Sequence, residues 1–454
     1  MSLPTITPGA LAMADGVIAI RSAQSTRSLP APAKAAEDHG WFLDRVASSL
    51  PGIPEATVVV PAWPRDAADR LAGLAGWRVA TTIDAATAWR SYTEDATGCT
   101  VHVGALDVMQ AVDPTCWILG GSAVDMAARL VGYHAATGVP YRATPGVAGC
   151  AMIRRLADQA MTAKLRGSGK ATAQPYWRWD RHPMTLDGVG DLRWRQQGGP
   201  TLGDRDWVHN FDTRWQYLAA AGVARLAWSP LEHMHAQPYD SEFAGYWQVR
   251  AEDVPPMLWE PRGSIVPAFD ARRVGPDGLV WLTTPIMAYL NDLGINPEVV
   301  DSWTCGQSGR YLRTWSERMR DGLVAAHQSG RDADLYAALQ QTYQQTIGMM
   351  QRQGGSIYRP DWAHTIIDTA RANLLRKVDR VYKALKILPI RAYVDALFYV
   401  TDNTHVGPLA DALGVVNEQQ GGPMVGRMRH IKTQTVAAYI THLGDRGTRR
   451  SVRP

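Results

Sequence analysis

Cysteine is scarce. Only Cys99, Cys116, Cys150 and Cys305 stand in a chain of 454 residues. No two are spaced as CxxC, which argues against a Cys-type zinc site and a disulfide framework and leaves buried or free thiols. No apolar run reaches the ~18 residues that a membrane-spanning helix needs. The N-terminal stretch MSLPTITPGALAMADGVIAI lacks the basic start and long apolar core of a secretory signal, an absence that points to the cytoplasm. No internal repeat is visible. Phenylalanine is rare, 5 against 17 tryptophans, so indoles must fill much of the core, and some are suited to stacking on bases. A nucleotide phosphate loop is also missing: GSGK at 167–170 is followed by Ala171 and has no glycine at the required earlier position.

What is present reads as an ordinary globular chain. It is 46% hydrophobic and 20% charged, and it is long enough for two or three domains. The net charge of +4 is unevenly spread. From Trp303 to Lys386, 13 Lys/Arg stand against 7 Asp/Glu, and from Val425 to Pro454, 7 stand against 1. Basic stretches of this kind suit a polyanionic partner, although a solvated helix face and a charged tail would carry the same residues.

Composition shifts divide the chain. Residues 1–40, rich in Ala, Pro and Ser, read as a loosely ordered arm. Over 41–170 strand patterns at 56–63, 77–83, 100–106 and 115–121 alternate with helical patterns at 64–75 and 123–137. VPYRATPG follows as a short strand and 148–165 as a helix, completing an α/β module closed by the linker-like GSGKATAQP. From about 190 the pattern becomes α+β. DLRWRQ, DWVHNFD, GYWQVRAE and LVWLTTP are strand-like. Three helices follow, at 310–327, 332–353 and from Pro360 to about Lys386, the last opening on a proline at its first helical position.

Two carboxylates sit where they need explaining. Asp212 ends the run WVHNFD just before the helical QYLAAAG. Asp395 lies in ILPIRAYVDALFYVTDN with apolar residues on both sides. A bare carboxylate in such surroundings is costly without a metal, a cation or hydrogen bonds. Taken singly, Asp212 could be a helix N-cap and Asp395 a turn residue. Two strand-borne carboxylates on neighbouring strands can instead hold two divalent cations for phosphoryl transfer. Asp402, in VTDN, is a turn residue or a supporting ligand. Between the carboxylates runs a basic helix with Arg371, Arg376, Lys377, Arg380 and Lys383. Arg376, Arg380 and Lys383 share one face, so Arg371 and Lys377 cannot serve the same phosphate with them.

The order of these parts resembles the polymerase module of family B DNA polymerases, over about residues 205–435. FDTRWQYL looks like motif A, D-x-x-S-L-Y-P, with Asp212 on its metal-binding aspartate and Tyr217 on the tyrosine beneath the sugar. AYVDALF looks like motif C, Y-x-D-T-D-S-x-F, with Asp395 on its second aspartate. Trp215-Gln216 replace Ser-Leu, Leu218 replaces proline, and Tyr393 replaces the first Asp of motif C. RANLLRKVDRVYK would be motif B without its Asn-Ser and Tyr-Gly pairs, and RYLRTWSERMRDG the preceding fingers helix. The Ala/Arg/Trp-rich, Lys-poor composition is similar to that of compact polymerases from phages and linear plasmids of high-GC bacteria.

The resemblance implies an α+β multidomain protein: an exonuclease-like module at 41–170, palm at 190–302, helical fingers at 303–386, palm again at 387–410, and a thumb or basic tail at 411–454. It implies a DNA-directed DNA polymerase in which Asp212 and Asp395 hold two Mg²⁺ ions, or Mn²⁺. Tyr217 would floor the sugar pocket, and Arg313, Arg371, Arg376 and Lys377 would bind the triphosphate. Primer-template DNA and dNTPs are the implied partners, with a terminal or primer protein as a further one. Proofreading needs Asp-x-Glu on a first strand plus two further acids. TVHVGALD has no such pair, and Asp107, Asp113 and Asp125 are wrongly spaced, so no nuclease activity is expected. Two other readings stand beside this one: a nucleic-acid-binding or terminal-complex protein with the chemistry lost, and a structural assembly protein. EHMHAQPYD (232–240) holds Glu232, His233, His235 and Asp240, but its histidines are i, i+2 rather than the i, i+4 of a helical zinc pair, so zinc is not expected there.

Overall fold

The computed structural model describes residues 9–14, 17–22, 26–30, 43, 48, 53–60, 76–84, 89–112, 117–118, 121–168, 176–179, 192–195, 205–235, 237–260, 265–329, 333–415 and 424–441. The chain is α+β and divides into two compact units, residues 1–174 with 317–349, and residues 175–316 with 350–454. Among the described residues, no helix is long and apolar enough to cross a membrane.

The first unit is built on a seven-stranded mixed sheet. Its strands are β1 (Gly9–Ala14), β2 (Val17–Ser22), β3 (Thr26–Pro30), β4 (Glu55–Val60), β5 (Trp77–Asp84), β6 (Trp89–Glu94) and β7 (Thr100–Ala105). They lie in the order β3-β2-β1-β4-β7-β6-β5, with β1, β4 and β7 parallel and the flanking pairs antiparallel. Residues 9–14, 17–22 and 26–30 are therefore strands, although 1–40 is expected to be a loosely ordered arm. ALAMA and VIAIRS alternate as strands that pair antiparallel.

The helices are α1 (Leu106–Val112), α2 (Ala123–Thr137) and α3 (Pro145–Ser168). A reciprocal capping box between Ser122 and Asp125 starts α2, and Gly138 in the left-handed conformation stops it. The expected strands at 115–121 and 139–146 are not seen among the described residues. Trp117 and Ile118 form a buried turn, and Trp117 stacks on Tyr133 and meets Tyr141 edge-on. The helix expected at 64–75, Cys116, Asp113 and the linker after 168 lie outside the described residues. Cys99, Cys150 and Cys305 are buried free thiols.

The three parallel strands carry one carboxylate, Glu55, and it is already committed. Its oxygens meet His102 Nε2 at 2.7 Å and Arg155 Nη2 at 2.6 Å, while Ser91 Oγ closes the other side of the His102 ring at 2.7 Å. Burial alone would raise the Glu55 carboxyl. The His102 hydrogen bond and the charges of His102, Arg155 and Arg142 outweigh it and bring the pKa down to about 2. A carboxylate held below its unfolded value stabilises the fold above that value and ceases to do so as pH falls through the folded one. The wild type is therefore expected to exceed Glu55→Gln by about 3 kcal/mol at neutral pH. That margin should shrink as pH falls from 4.5 through about 2, read by urea titration at each pH. A pH-independent margin would show that packing alone is lost.

The second unit holds β8 (Arg193–Arg195), β9 (Trp207–Thr213), α4 (Gln216–Val223), β10 (Leu226–Ala227), β11 (Glu232–His233), β12 (Ala244–Arg250), β13 (Leu279–Thr283), α5 (Thr284–Asp292), β14 (Val299–Cys305) and β15 (Ser308–Gly309). The division between the units falls inside α6 (Arg313–Ser329), and α7 (Ala333–Met349) belongs to the first unit, so 303–386 is not one helical subdomain. The second unit resumes with α8 (Pro360–Leu385), β16 (Arg391–Tyr393), β17 (Ala396–Thr401), α9 (Gly407–Leu413) and β18 (Met428–Thr435).

A five-stranded sheet runs β18-β9-β17-β16-β8, and a four-stranded one runs β11-β14-β12-β13. The first draws its strands from four distant stretches of sequence. Its far edge, β18, comes from the segment expected to be a separate thumb or tail. Phe211, Trp194, Leu397 and Tyr399 share one buried core with Leu374, Leu375 and Val378 of α8, on one face of this sheet. Val208, Val400, Val436 and Tyr439 form a smaller cluster on the other.

Candidate active site

Two hairpin-like pairings bring the carboxylates together. In β9, Phe211 faces the main core, so Asp212 points to the opposite face. It is no helix cap: Trp215, in the left-handed conformation, is the N-cap of α4, and its side chain caps nothing. β17 pairs antiparallel to β9 with Ala396 opposite Asp212. Asp395 is therefore at the tip of the β16–β17 hairpin rather than inside a strand, and Thr213 N donates to its carbonyl at 2.9 Å. The two carboxyl groups face each other. Burial, then the charge of Asp212, pushes the Asp395 carboxyl well above the usual carboxylate range.

The tip itself is strained. Tyr393 pairs with Ala396, leaving a two-residue loop in which Val394 has φ +57°, a conformation that a β-branched residue adopts at a cost. Val394 N donates to Leu192 O at 2.6 Å, which ties the tip to the residue before β8. Val394→Asn, which tolerates this backbone, is expected to raise stability by about 1 kcal/mol. A calorimetric melt with no gain would mean that the packing of the valine side chain outweighs the backbone relief.

Cations surround the pair. Arg429 of β18 lies opposite Asp212 across the ladder and donates from Nη2 to its Oδ2 at 2.7 Å. Lys377 of α8 donates from Nζ to Thr213 Oγ1 at 3.1 Å and to Gly426 O at 3.0 Å. Burial, with the charges of Arg380 and Arg427, brings the Lys377 ammonium down to about 8 against the pull of Asp212 and Asp395. Oxygens remain on offer to a hard cation. Asp212 Oδ1 is buried without a hydrogen-bond partner, and so is Oδ1 of Asn210, two residues earlier on the same face of β9. A carboxylate pair with unsatisfied oxygens is a donor set that fits Mg²⁺ or Mn²⁺. Arg429 occupies the other Asp212 oxygen, Oδ2.

The other sequence candidates go to different places. Tyr217, half-buried in the first turn of α4, lies within electrostatic reach of Arg371. Arg371 is buried among Asp368, Arg273 and Asp270 rather than directed at a phosphate site. Arg376 is bound to Asp292 at 2.7 Å, at the end of α5. Arg313 is exposed at the start of α6, and Arg380 and Lys383 are exposed on α8. Asp402 is no supporting ligand: it pairs with Arg205 beyond Thr401, the end of β17 away from Asp395. Of the basic residues named from sequence as triphosphate ligands, Lys377 is the one within electrostatic reach of the carboxylates, through its place against Thr213 and Gly426. Arg429, Arg427 and Asn210 carry no motif signal in the sequence. The cluster GRMRH was visible in sequence, but its pairing to β9 depends on a contact across more than two hundred residues.

No protein-family model matches the chain, and no curated protein does. Among solved structures, the chain is similar to phi29 DNA polymerase in a ternary complex with primer-template DNA and incoming nucleotide substrates. That match has a TM-score of 0.48 and 9% identity over 94% of this chain and 85% of the other. It is also similar to phi29 DNA polymerase complexed with single-stranded DNA, with a TM-score of 0.45 and 8% identity over 94% and 84%. The family B DNA polymerase of the hyperthermophilic archaeon Pyrobaculum calidifontis matches with a TM-score of 0.34 and 13% identity, over 95% of this chain and 57% of that one.

Proposed function

We propose that the chain is a template-directed nucleotidyltransferase, a DNA polymerase related in its site to family B and serving a phage or plasmid replication system. The observation that supports this most directly is the convergence of Asp212, in β9, and Asp395, at the tip of the β16–β17 hairpin, with Lys377 in electrostatic reach of both. In this reading Asp212 and Asp395, helped by Asn210, hold two Mg²⁺ ions or their Mn²⁺ equivalents. Such ions make a primer 3′-hydroxyl more acidic and offset the charge of departing pyrophosphate. Asp395 must lose its proton to serve, and its raised pKa makes that loss a condition of binding. Lys377 Nζ, with its pKa near 8, holds a phosphate oxygen or gives it a proton. Arg429 and Arg427 add positive charge for the incoming nucleotide and primer. Tyr217, backed by Arg371, forms the floor of the sugar pocket.

The direct test is primer extension on a primed DNA template with dNTPs and Mg²⁺ or Mn²⁺. Incorporation that depends on the metal and on the template supports the reading. A second reading, a DNA-binding protein with the chemistry lost, is favoured by the Arg429–Asp212 ion pair and by Tyr393 in place of a motif C aspartate. Retained DNA affinity with no incorporation under either metal would select it.

A further inference from the structure

The segment Glu232-His233-Met234-His235 acquires in the fold what its sequence spacing lacks. β11 pairs antiparallel to β14 with His233 opposite Trp303, so that Asp301, two residues away on the same face of β14, comes beneath both histidines. His233 Nε2 lies 2.8 Å from each oxygen of Asp301, and His235 Nδ1 lies 3.8 Å from Oδ1. One donor atom from each of the three residues falls within 4.8 Å of the others. Two ligand atoms held ~2.0–2.2 Å from one metal at a tetrahedral angle are ~3.4 Å apart, a spacing bracketed by the contacts to Asp301.

We infer that His233, His235 and Asp301 form a binding site for a divalent transition metal of the zinc class, separate from the Asp212–Asp395 pair. The donor set decides the metal. Two imidazole nitrogens and one carboxylate oxygen suit Zn²⁺, whereas the carboxylate pair, with oxygens only, suits Mg²⁺. Two of the three ligands are positioned before any metal arrives. The Trp303 indole stacks on the His233 ring at 4.8 Å and 17°. Met234 is fixed to Ser302 by its N–H at 2.9 Å and its carbonyl at 2.7 Å, which sets where the chain delivers His235. The His235 side chain is 83% exposed, so it can swing onto the metal, and water can fill the open position. A bound ion would cross-link the short edge strand β11 to β14.

The test is equilibrium dialysis of the full chain against micromolar Zn²⁺, with Co²⁺ absorption as a second readout. The wild type is expected to bind Zn²⁺ here, and Co²⁺ to give the visible bands of a nitrogen-ligated, four- or five-coordinate ion. His235→Ala, in an exposed turn, and Asp301→Asn, which keeps the side-chain shape, should each weaken binding more than about tenfold. The double variant Asp212→Asn/Asp395→Asn should leave it unchanged, whatever that variant does to primer extension. Failure of the wild type to bind Zn²⁺, or binding unaffected by His235→Ala and Asp301→Asn, overturns the inference. So does loss of the Zn²⁺ in the Asp212→Asn/Asp395→Asn variant, which would place the ion at the carboxylate pair.

Discussion

Asp395→Asn is expected to lower primer extension ~10³-fold, about 4 kcal/mol of transition-state stabilisation, while making the protein more stable at pH 8. The two effects have one cause. Asp395 is buried against Asp212, so its ionised form is disfavoured in the fold. Between the ordinary carboxylate pKa and the raised one, the folded chain binds more protons than the unfolded chain. Stability therefore falls as pH rises through that window, and the loss is complete above it. Asparagine removes the charge and with it the penalty, but it also removes a proposed metal ligand. Thermal melts of wild type and variant should coincide near pH 4 and separate at pH 8, with the variant higher. Asp212→Asn should cost as much activity with less gain in stability, because it also leaves Arg429 without its carboxylate. Primer extension that survives either substitution would remove these aspartates from the mechanism. A variant less stable at pH 8 would show that the pair is a structural contact.

Asp368→Asn should destabilise the second unit by about 3–5 kcal/mol, the usual cost of leaving one member of a buried ion pair uncompensated. Arg273 and Asp368 are both fully buried and meet fork to fork at 2.7 and 2.8 Å, while Thr283 Oγ1 donates to Asp368 at 2.8 Å. Burial opposes the Asp368 charge, but Arg273 and its hydrogen bonds, with Arg371, hold the carboxyl below its ordinary range. Its contribution is thus present at neutral pH and lost on strong acidification. Urea titration of Asp368→Asn measures the cost. The double variant Arg273→Met/Asp368→Leu should recover most of it, since a packed apolar pair has no charge to desolvate. Because Arg371 connects this network to Tyr217, Asp368→Asn should also loosen the proposed sugar pocket and raise KM for dNTPs in whatever fraction remains folded. A cost below about 1 kcal/mol would mean that water reaches the site and the pair is effectively solvated.

Local pattern made much of the second unit legible. Period-two runs such as WVHNFD and LVWLT appear as β9 and β13, and the 3.6-residue pattern opening on Pro360 appears as α8. These elements bury one face whatever their neighbours are. Legibility failed where the signal was weak or the partner remote. ALAMA and VIAIRS lie in an Ala-, Pro- and Ser-rich stretch whose composition hides their alternation, and in TCWILGG the described Trp117 and Ile118 form a buried turn rather than a strand. The helices of the fingers expected at 303–386 divide between the two units for a different reason: helix pattern says which face is apolar, not which sheet or helix will cover it.

The carboxylates show the same boundary. A charge flanked by apolar residues on a strand needs a counterpart, and that requirement is written in FDTRWQYL and AYVDALF themselves. Order and spacing were enough to pair Asp212 with Asp395. Which cations stand beside them was settled only in three dimensions. Arg376 and Lys377 are neighbours in sequence, yet one pairs with Asp292 and the other with Thr213 and Gly426, within electrostatic reach of the carboxylates, because successive helical residues point about 100° apart. Arg429 reaches Asp212 through a strand pairing over 217 residues of sequence, and Asp301 reaches His233 over 68. Sequence periodicity reports the environment of each element. The identity of the side chain facing it across a ladder depends on register between distant strands, which is set when the whole sheet closes over one core.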